Sequence, residues 1–437
     1  MQVSLTATGG LERRLEVAVP AQRVASEVEQ RLKRLSRTAR LKGFRPGKAP
    51  FAVVRRQFGD QVHAEVVGDL MRTSFAEAVS QQQLKPAGGP RIEPIALNPG
   101  ADLRYTAVFE VLPDVQVRSV ESFAIERPTA TVTEQDIEAM IESMRRQRLT
   151  YVPVERPARA TDRVTIDFDG RKDGQPFEGS EGRDVTFVVG GGRVLPEMDA
   201  AAQGAAVGDT RTATVHYPPD HASKELAGHT AEFSLTLKKV EEESLPAVDA
   251  EFLRAFGVED GEVATLRAEV RKSMERELET LVRNRLRAQV MDALYRDNPF
   301  DVPRALVDEA IQRLQVDTAQ RMGIRDASQL PQREVFEQPA RRRVALGMLM
   351  AEIVRAQNLQ VDRARVESRL EDLAASYPEP EQARRAYLQN ADAMRQIESA
   401  ALEDQVVDWV LERAHVTDQP TSFKELTGFG QNSSESP

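Results

Sequence analysis

The chain has 437 residues, which is more than one hydrophobic core supports, so we expect about three domains. The absence of cysteine excludes a disulfide framework and thiol chemistry, and five scattered histidines argue against a metal site. No apolar run approaches the roughly 18 residues of a membrane span, and the first residues lack a signal-peptide pattern. We therefore expect a cytoplasmic protein with no membrane partner, no metal and no cofactor.

Charge is unevenly distributed along the chain. The formal net charge is −10, yet the segment 23–60 holds eleven Lys or Arg residues against three acids. A concentrated basic segment in an acidic chain favours a polyanionic partner that binds at that segment alone. A solvated, charged helix face is the other interpretation of the same pattern.

Residues 1–113 predict a basic α+β domain. Weak alternation at 3–19 is typical of an edge-like strand, and apolar residues at helical spacing follow from 21 to about 40. The further elements predicted for this domain are a short helix at 51–58 ended by Gly59, a longer helix to about 83, a turn-rich connector at 84–99 and a strand at 103–111.

A basic loop lies between the first two helical patterns. It reads Leu41-Lys42-Gly43-Phe44-Arg45-Pro46-Gly47-Lys48-Ala49-Pro50. Its glycines permit positive φ and its prolines prevent helix continuation, so the loop has a defined shape that presents Phe44, Arg45 and Lys48. An apolar ring beside cations suits a surface of phosphates, bases and protein. A plain helix–turn–helix connector with Phe44 in the local core is the alternative.

The eight residues from Gly43 to Pro50 resemble the ribosome-docking signature of the trigger factor family of bacterial chaperones. The resemblance implies ribosome contacts through Gly43, Phe44, Arg45, Pro46, Gly47, Lys48 and Pro50. It implies as partners the large ribosomal subunit, with protein and rRNA near the exit tunnel, and nascent and unfolded polypeptides. By the same analogy, a homodimer is expected away from the ribosome.

Residues 114–150 predict a bridge that contains one helix. Thr133 is an N-cap candidate, and Asp136 follows it at nearly the spacing of a capping box. The apolar residues of this helix form one stripe at Ile137, Met140, Ile141 and Met144. We expect this stripe to pack against a neighbouring domain.

Residues 151–245 predict a small β-rich domain. Strands are expected at 164–170, 184–190 and 232–237, with one short helix near 197–202. The acidic run 241–243 is expected to be solvated. Blocks at 166–170, 176–179, 187–190, 194–198, 217–221 and 233–235 occur in the order found in FKBP-type prolyl isomerases, which this region resembles.

The resemblance implies an apolar prolyl pocket in this domain. It assigns the pocket to Phe168, Phe177, Phe187, Val194, Leu195, Met198, Tyr217 and Phe233, with Glu178 and His221 at its polar edge. Prolyl isomerisation needs no nucleophile, because its barrier of roughly 18–20 kcal/mol is the loss of amide resonance. A dry apolar pocket favours the twisted amide, which has less charge separation than the planar amide. Apart from the resemblance, alternating Phe and Val residues in a small β domain are usually an ordinary core.

Two residues depart from the family pattern. Met198 stands where an aromatic residue is common, and Glu197 stands where glycine is frequent. Methionine is flexible and gives a softer wall than an aromatic ring. We therefore expect an isomerase that works with reduced activity.

Residues 246–430 predict an all-α domain. Helices are expected from 263 to about 298, from 303 onward, and at 333–357, 363–376 and 391–414, and the polar tail 431–437 is expected to be disordered. The helices carry Met322, Met348, Met350 and Met394, which are either bundle core or an adaptable surface for unfolded chains. The family resemblance favours a chaperone cradle built from this region and the bridge helix and working without ATP.

These features together predict an α+β multidomain protein. The expected parts are a ribosome-binding domain at 1–113, the bridge at 114–150, an FKBP-type domain at 151–245, the helical substrate-binding domain at 246–430 and the tail at 431–437. Two other functions remain open: a dedicated prolyl isomerase whose helices recruit substrate, and a ribosome-binding factor without chaperone activity.

Overall fold

A computed structural model describes residues 1–39, 41, 44, 49–96, 100–221, 223, 226–326 and 329–429. They form two compact units, one from Met1–Arg127 with Asn284–Asp418 and the other from Pro128–Arg283 with Gln419–Pro437. The element order confirms the predicted α+β class. Within the ranges above, no helix is both long enough and apolar enough to cross a membrane.

The N-terminal part of the first unit is a four-stranded antiparallel sheet packed with two helices. The elements are β1 (Gln2–Gly9), β2 (Glu12–Val19), α1 (Ala21–Thr38), α2 (Phe51–Gln81), β3 (Arg91–Ala96) and β4 (Leu103–Glu110). The strands are ordered β1-β2-β4-β3. Leu15 and Tyr105 from the sheet and Val54 from α2 are fully buried in the shared core.

The prediction of a single edge strand at 3–19 is wrong, because this segment is a hairpin. Gly9 and Gly10 have φ values of 145° and 51°, which allow the chain to turn between β1 and β2. Of these two hairpin strands, β1 lies at an edge of the sheet and β2 lies inside it. The Gly-Gly pair was the available signal, since tight hairpin turns need positive φ.

Two further predictions for this domain are wrong. α2 continues through Gly59, because Val54 and Val62 on either side of it are buried in the core. Their burial outweighs the roughly 1 kcal/mol by which glycine disfavours a helix relative to alanine. The connector predicted at 84–99 contains β3, which lies at the sheet edge, where a strand that includes proline is tolerated.

The β-rich region is a five-stranded antiparallel sheet with one short helix. Two elements precede this region in the chain, β5 (Ala124–Thr129) and the bridge helix α3 (Glu134–Gln147). The region itself contains β6 (Thr150–Pro153), β7 (Arg163–Arg171), β8 (Glu181–Val188), α4 (Pro196–Ala202), β9 (Thr210–His216) and β10 (Thr230–Ser244). The order is β6-β10-β7-β8, and β9 also pairs with β10. The predicted strands and short helix correspond to β7, β8, β10 and α4. The prediction missed β6 and β9, which expose most of their side chains and so lack a strong apolar pattern.

The remaining chain is mainly helical, as predicted. Its elements are α5 (Ala250–Ala255), α6 (Val263–Asp297), α7 (Arg304–Met322), α8 (Arg333–Ala356), α9 (Arg363–Ala375), α10 (Pro380–Gln389), α11 (Ala391–Leu411), β11 (His415–Pro420) and α12 (Phe423–Thr427). The prediction missed the short helices α5, α10 and α12, and also β11, which pairs with β5. The tail 431–437 lies outside the described residues.

The bridge helix α3 begins with the capping box that the sequence indicates. The Thr133 hydroxyl accepts a hydrogen bond from the Asp136 N–H, and the Asp136 carboxylate accepts one from the Thr133 N–H at 2.9 Å. Ile137 and Ile141 are buried against residues of α5, α6 and α12, which belong to the same compact unit as α3.

Candidate functional site

The register of β10 against β7 brings the predicted pocket residues of the two strands together. Phe233 lies opposite Gly170, and Leu235 lies opposite Phe168. Side chains alternate between the faces of a strand, so apolar residues two apart share one face. Met198 of α4 packs into the same cluster and covers that face.

All eight apolar residues predicted for the pocket lie in one hydrophobic cluster. Phe187, Met198 and Phe233 are only 3–4% exposed and are the buried members of the eight. The five half-buried members are Phe168, Phe177, Val194, Leu195 and Tyr217. An apolar binding pocket requires such a combination of buried and half-buried residues, which an ordinary domain core also contains.

Two half-buried aromatic rings of the cluster pack on the buried ring of Phe233. Phe168 and Phe177 meet Phe233 edge to face, with ring centroids 5.9 Å and 6.0 Å apart. Such pairs contribute about 0.5–1.5 kcal/mol each beyond their area burial. The position of Phe233 therefore sets the positions of both half-buried rings.

Two glycines provide the space for these rings, and the sequence analysis did not single them out. A Cβ on Gly170 would lie 2.5 Å from the Phe233 ring, and a Cβ on Gly182 would overlap the Phe168 ring. Any larger residue at either position therefore displaces a ring. Glycine inside a strand was the available signal, because it often marks a close approach to the backbone.

Two polar side chains hold the loops around the pocket. The Phe177 N–H donates to the Ser180 hydroxyl at 3.2 Å, and the Ser180 N–H donates to the Phe177 carbonyl at 3.0 Å. The Asp199 carboxylate accepts the Gly190 N–H at 2.9 Å, which ties the loop after β8 to α4. Phe177 and α4 are therefore fixed by local hydrogen bonds as well as by packing.

The predicted polar edge is only partly assembled around the pocket. The His221 ring lies 4.8 Å from the Tyr217 ring, and its Nδ1 accepts the Ser223 N–H. Glu178 is exposed. Burial raises the pKa of Tyr217, and the charge of Glu197 adds to the rise, so the phenol stays protonated at neutral pH.

Family models match most of the chain. The model of the bacterial trigger factor protein matches residues 1–144, and that of its C-terminus matches residues 262–412. The model of the FKBP-type peptidyl-prolyl cis-trans isomerase matches residues 154–238, the region that holds the apolar cluster.

Relatives match over the full length. The trigger factor of Pseudomonas putida strain W619 is 41% identical over 436 residues, covering 100% of both chains. The trigger factor of Stutzerimonas stutzeri is 42% identical and covers 97% of this chain and 98% of its own. The chain belongs to the trigger factor family.

A solved structure from work on substrate recognition by the trigger factor chaperone shares the fold. It has a TM-score of 0.50 and 17% identity, with 94% of this chain and 99% of that chain covered. This trigger factor family member is a chaperone with a ribosome-binding N-terminal domain and an FKBP-type prolyl isomerase domain. As such it associates with the ribosome and acts on nascent polypeptides.

The buried methionine leads to a prediction for this isomerase domain. We expect Met198→Phe to raise kcat/KM on an Xaa-Pro peptide about two- to tenfold, because an aromatic ring makes a stiffer wall than methionine. An unfolding curve of the variant controls for strain from the larger side chain. Wild-type activity equal to or above that of the variant would contradict the expected weakening.

The acidic run 241–243 is not uniformly solvated, so that expectation is wrong for Glu241. Glu241 is 4% exposed and binds Arg163 at 2.8 Å and Lys239 at 2.7 Å. Asp162 is also buried, and Arg156 binds it through two hydrogen bonds of 2.6 and 2.9 Å. The partner guanidinium lowers the pKa of each carboxyl group against the opposing effect of burial.

These pairs predict how the stability of the isomerase domain depends on pH. A carboxyl group whose pKa is lowered by folding contributes stability above its unfolded pKa, and that contribution is lost as the pH falls through the folded pKa. We expect Asp162→Asn to lower the free energy of unfolding by about 1–3 kcal/mol at pH 7. Urea unfolding should show a smaller difference from wild type at pH 3, below the ordinary Asp pKa of 3.8. An equal difference at both pH values would contradict the role of the ion pair.

The described residues of the basic loop show how its ends are held. Leu41 is buried in the N-terminal core, and Pro50 is the N-cap of α2. Phe44 donates its N–H to the Leu41 carbonyl at 3.0 Å, and its side chain is 41% exposed, outside the local core. Gly43, Arg45, Pro46, Gly47 and Lys48 lie outside the described residues.

Proposed function

We propose that the apolar cluster is the prolyl pocket and that it works mainly by burial of the prolyl amide. The observation that carries this proposal is the single cluster of eight predicted residues, with three buried and five half-buried. A proline ring inserted over Phe187, Met198 and Phe233 would be desolvated. The twisted amide has less charge separation than the planar one, so the dry site stabilises it relative to the ground state.

Each residue type then has a defined role in this mechanism. Phe168, Phe177, Val194 and Leu195 would exclude water from the amide. The protonated Tyr217 hydroxyl is available to donate a hydrogen bond to a substrate carbonyl, and His221 would support the Tyr217 ring. Glu178 remains a residue of the exposed rim.

We propose further that the basic loop docks on the large ribosomal subunit near the exit tunnel, against protein and rRNA. The exposed Phe44 ring supports this proposal, and so do arginines on the two helices that flank the loop. Four arginines of α1 and α2 are exposed and form no ion pair with any residue that the structure describes: Arg34, Arg37, Arg55 and Arg56. Unpaired cations on the two helices that flank the loop suit a surface rich in phosphate.

Co-sedimentation with purified bacterial ribosomes tests the docking loop. We expect saturable binding that weakens with salt, and at least tenfold weaker binding by the Phe44→Ala/Arg45→Ala variant, because an apolar anchor and a phosphate contact are both lost. Arg72→Ala is a matched control, since Arg72 is an exposed arginine on the same helix α2 outside the basic segment. Equal binding by wild type and double variant would reduce the loop to a structural turn.

We propose two surfaces for unfolded polypeptides, one in each unit. The first is a cavity of 540 Å³ beside α10 that is lined by Tyr377, Pro378, Ala386 and Tyr387, among others. The second is a groove of 780 Å³ between α3 and α6 with Met140, Met144 and Phe256 in its walls. The methionines of the second surface can adapt to many sequences, and the tyrosines of the first offer apolar rings.

The methionines of the C-terminal helices support this proposal in part. Met322 at the end of α7 is 64% exposed, whereas Met348, Met350 and Met394 are half-buried. Met322 is therefore available to a client chain, and the other three also serve the packing of their helices.

Aggregation assays with a denatured client test these surfaces. We expect Tyr377→Ser/Tyr387→Ser to weaken suppression several-fold, because each aromatic ring lost from the cavity removes about 1–3 kcal/mol of apolar burial on binding. Arg395→Ser on α11 is the control, since Arg395 is exposed. Undiminished suppression would exclude the cavity as a client site.

Two finer points complete the proposal. We propose the domain boundaries 1–113, 114–150, 151–245 and 246–430, which limited proteolysis can test. We also propose a homodimer off the ribosome, for which sedimentation at several concentrations is the direct measurement.

A further inference from the structure

Strand β1 forms one edge of the N-terminal sheet and is exposed along its length. It runs from Gln2 to Gly9 and pairs with β2 alone. The side chain of Val3 packs on the core, and all the other residues of the strand are exposed. The pairing with β2 has no register shift before Ala7, so most of the edge is regular.

The outer side of β1 carries backbone groups that have no protein partner. In an antiparallel pair every second residue directs its N–H and C=O toward the partner strand, so the residues between direct theirs outward. Within the part of the chain that the structure describes, no hydrogen bond joins the β1 backbone to any element except β2. β1 is therefore a template on which another extended chain can add a strand.

Sheet edges are normally protected against such addition by charged residues or proline within the edge strand. The sequence of β1, QVSLTATG, contains neither. At the opposite edge of the same sheet, β3 includes Arg91, Glu93 and Pro94. Every other edge strand among the described residues, in either unit, also includes a charged residue or a proline. β1 is thus the exception in this molecule, which points to a use for its open edge.

We propose that β1 binds an extended segment of an unfolded client polypeptide as a fifth strand of the N-terminal sheet. The proposal rests on the action of this chaperone on nascent polypeptides, and it adds a third site to the two surfaces proposed above. An unfolded segment has unpaired backbone groups along its whole length, whatever its sequence. The side chains of Ser4, Thr6 and Thr8 are small and uncharged, so client residues of either charge can lie beside them.

Matched N-methylated peptides test whether the client backbone is recognised. The probes are capped peptides of serine, threonine and valine with the same length as β1. N-methyl groups on every second residue block one edge of the peptide and leave the other edge free. The same number of N-methyl groups on consecutive central residues interrupts both edges, with equal composition and an equal loss of N–H donors. We expect the full-length protein to bind the consecutively methylated peptide about tenfold more weakly.

Amide hydrogen exchange of the full-length protein locates the binding site. The alternately methylated peptide should slow exchange several-fold at every second residue of β1, because only the outward N–H groups gain a partner. The amides of β3 are the internal control, because the proline and the charges of that strand oppose strand addition. Exchange in β3 should be unchanged.

Two proline variants separate the edge from the fold. Thr6 and Ala7 are successive residues of β1, so the N–H of one faces β2 and the N–H of the other faces outward. Proline at the outward position removes an edge donor, whereas proline at the other position also breaks a hydrogen bond to β2. Of Thr6→Pro and Ala7→Pro, the variant with the higher stability in urea should still bind the alternately methylated peptide about tenfold more weakly than wild type.

The possible outcomes separate this inference from the other client surfaces. Equal binding of the two methylated peptides, or no binding of the alternately methylated one, would overturn strand addition. Binding without protection of β1 would place the peptide elsewhere and leave the two surfaces proposed above intact. Protection of β1 that rises with protein concentration in the absence of peptide would assign the edge to a second copy of this chain and overturn the client role.

Discussion

Replacing Gly170 with alanine is expected to lower kcat/KM on an Xaa-Pro peptide about ten- to hundredfold. The new Cβ would lie 2.5 Å from the Phe233 ring, so this ring must move. Phe168 and Phe177 pack edge to face on Phe233 and would move with it. Displacements of about 1 Å in a site that acts by positioning can reduce the rate by two orders of magnitude.

The same substitution separates isomerisation from chaperone work. The overpacked site should lose about 1–3 kcal/mol of stability, which leaves a folded domain in most cases and is checked by urea unfolding. Gly68→Ala is a matched control, because a Cβ on Gly68 in α2 meets nothing within 4 Å. If the Gly170→Ala variant keeps full activity, the cluster is an ordinary core. Suppression of aggregation by an inactive variant would rule out the dedicated isomerase.

The second large effect is expected at Phe423, near the end of the described chain. Phe423 is 1% exposed in a core shared with Ile137 of α3, Phe252 of α5 and Leu266 of α6. Replacing a fully buried phenylalanine with alanine removes its apolar burial and leaves a cavity, which together cost about 3–5 kcal/mol. We therefore expect Phe423→Ala to destabilise the unit of Pro128–Arg283 and Gln419–Pro437 by about this amount.

Amide hydrogen exchange of α3 and the first turns of α6 measures this loss directly. Exchange should accelerate in those segments, because they share the core with Phe423. The neighbouring Lys424 is exposed, so Lys424→Ala should change the opening free energy by less than about 0.5 kcal/mol. Unchanged exchange in Phe423→Ala would mean that α12 packs on the core without stabilising it.

The Phe423 core also shows why short elements were hard to predict. α12 has five residues, too few for a periodic pattern, and it is held by a capping box between Ser422 and Glu425 and by one buried ring. An isolated helix of that length is unstable in water. Its existence depends on a core formed by residues more than 100 positions earlier in the chain.

Local chemistry was enough to predict many features of this protein. The long helices α1, α6, α8 and α11 follow from apolar periodicity, and the start of α3 follows from the Thr133 capping box. The residues of the prolyl pocket were assigned by resemblance, and the structure brings all eight apolar members into one cluster. Such features depend on residues close together in the sequence or on contiguous motifs.

Tertiary contacts decided the rest. Gly59 is helical because α2 packs on the sheet, β3 forms because β4 offers an edge, and Glu241 is buried because Arg163 and Lys239 neutralise its charge. The space that Gly170 leaves for Phe233 exists only when β7 and β10 are paired. The sequence alone therefore determined the long helices and the start of α3 and, through resemblance, the residues assigned to the pocket, whereas long-range pairing and burial decided the short elements and which local preferences were overridden. The free energy of those contacts exceeds the roughly 1 kcal/mol scale of local propensity.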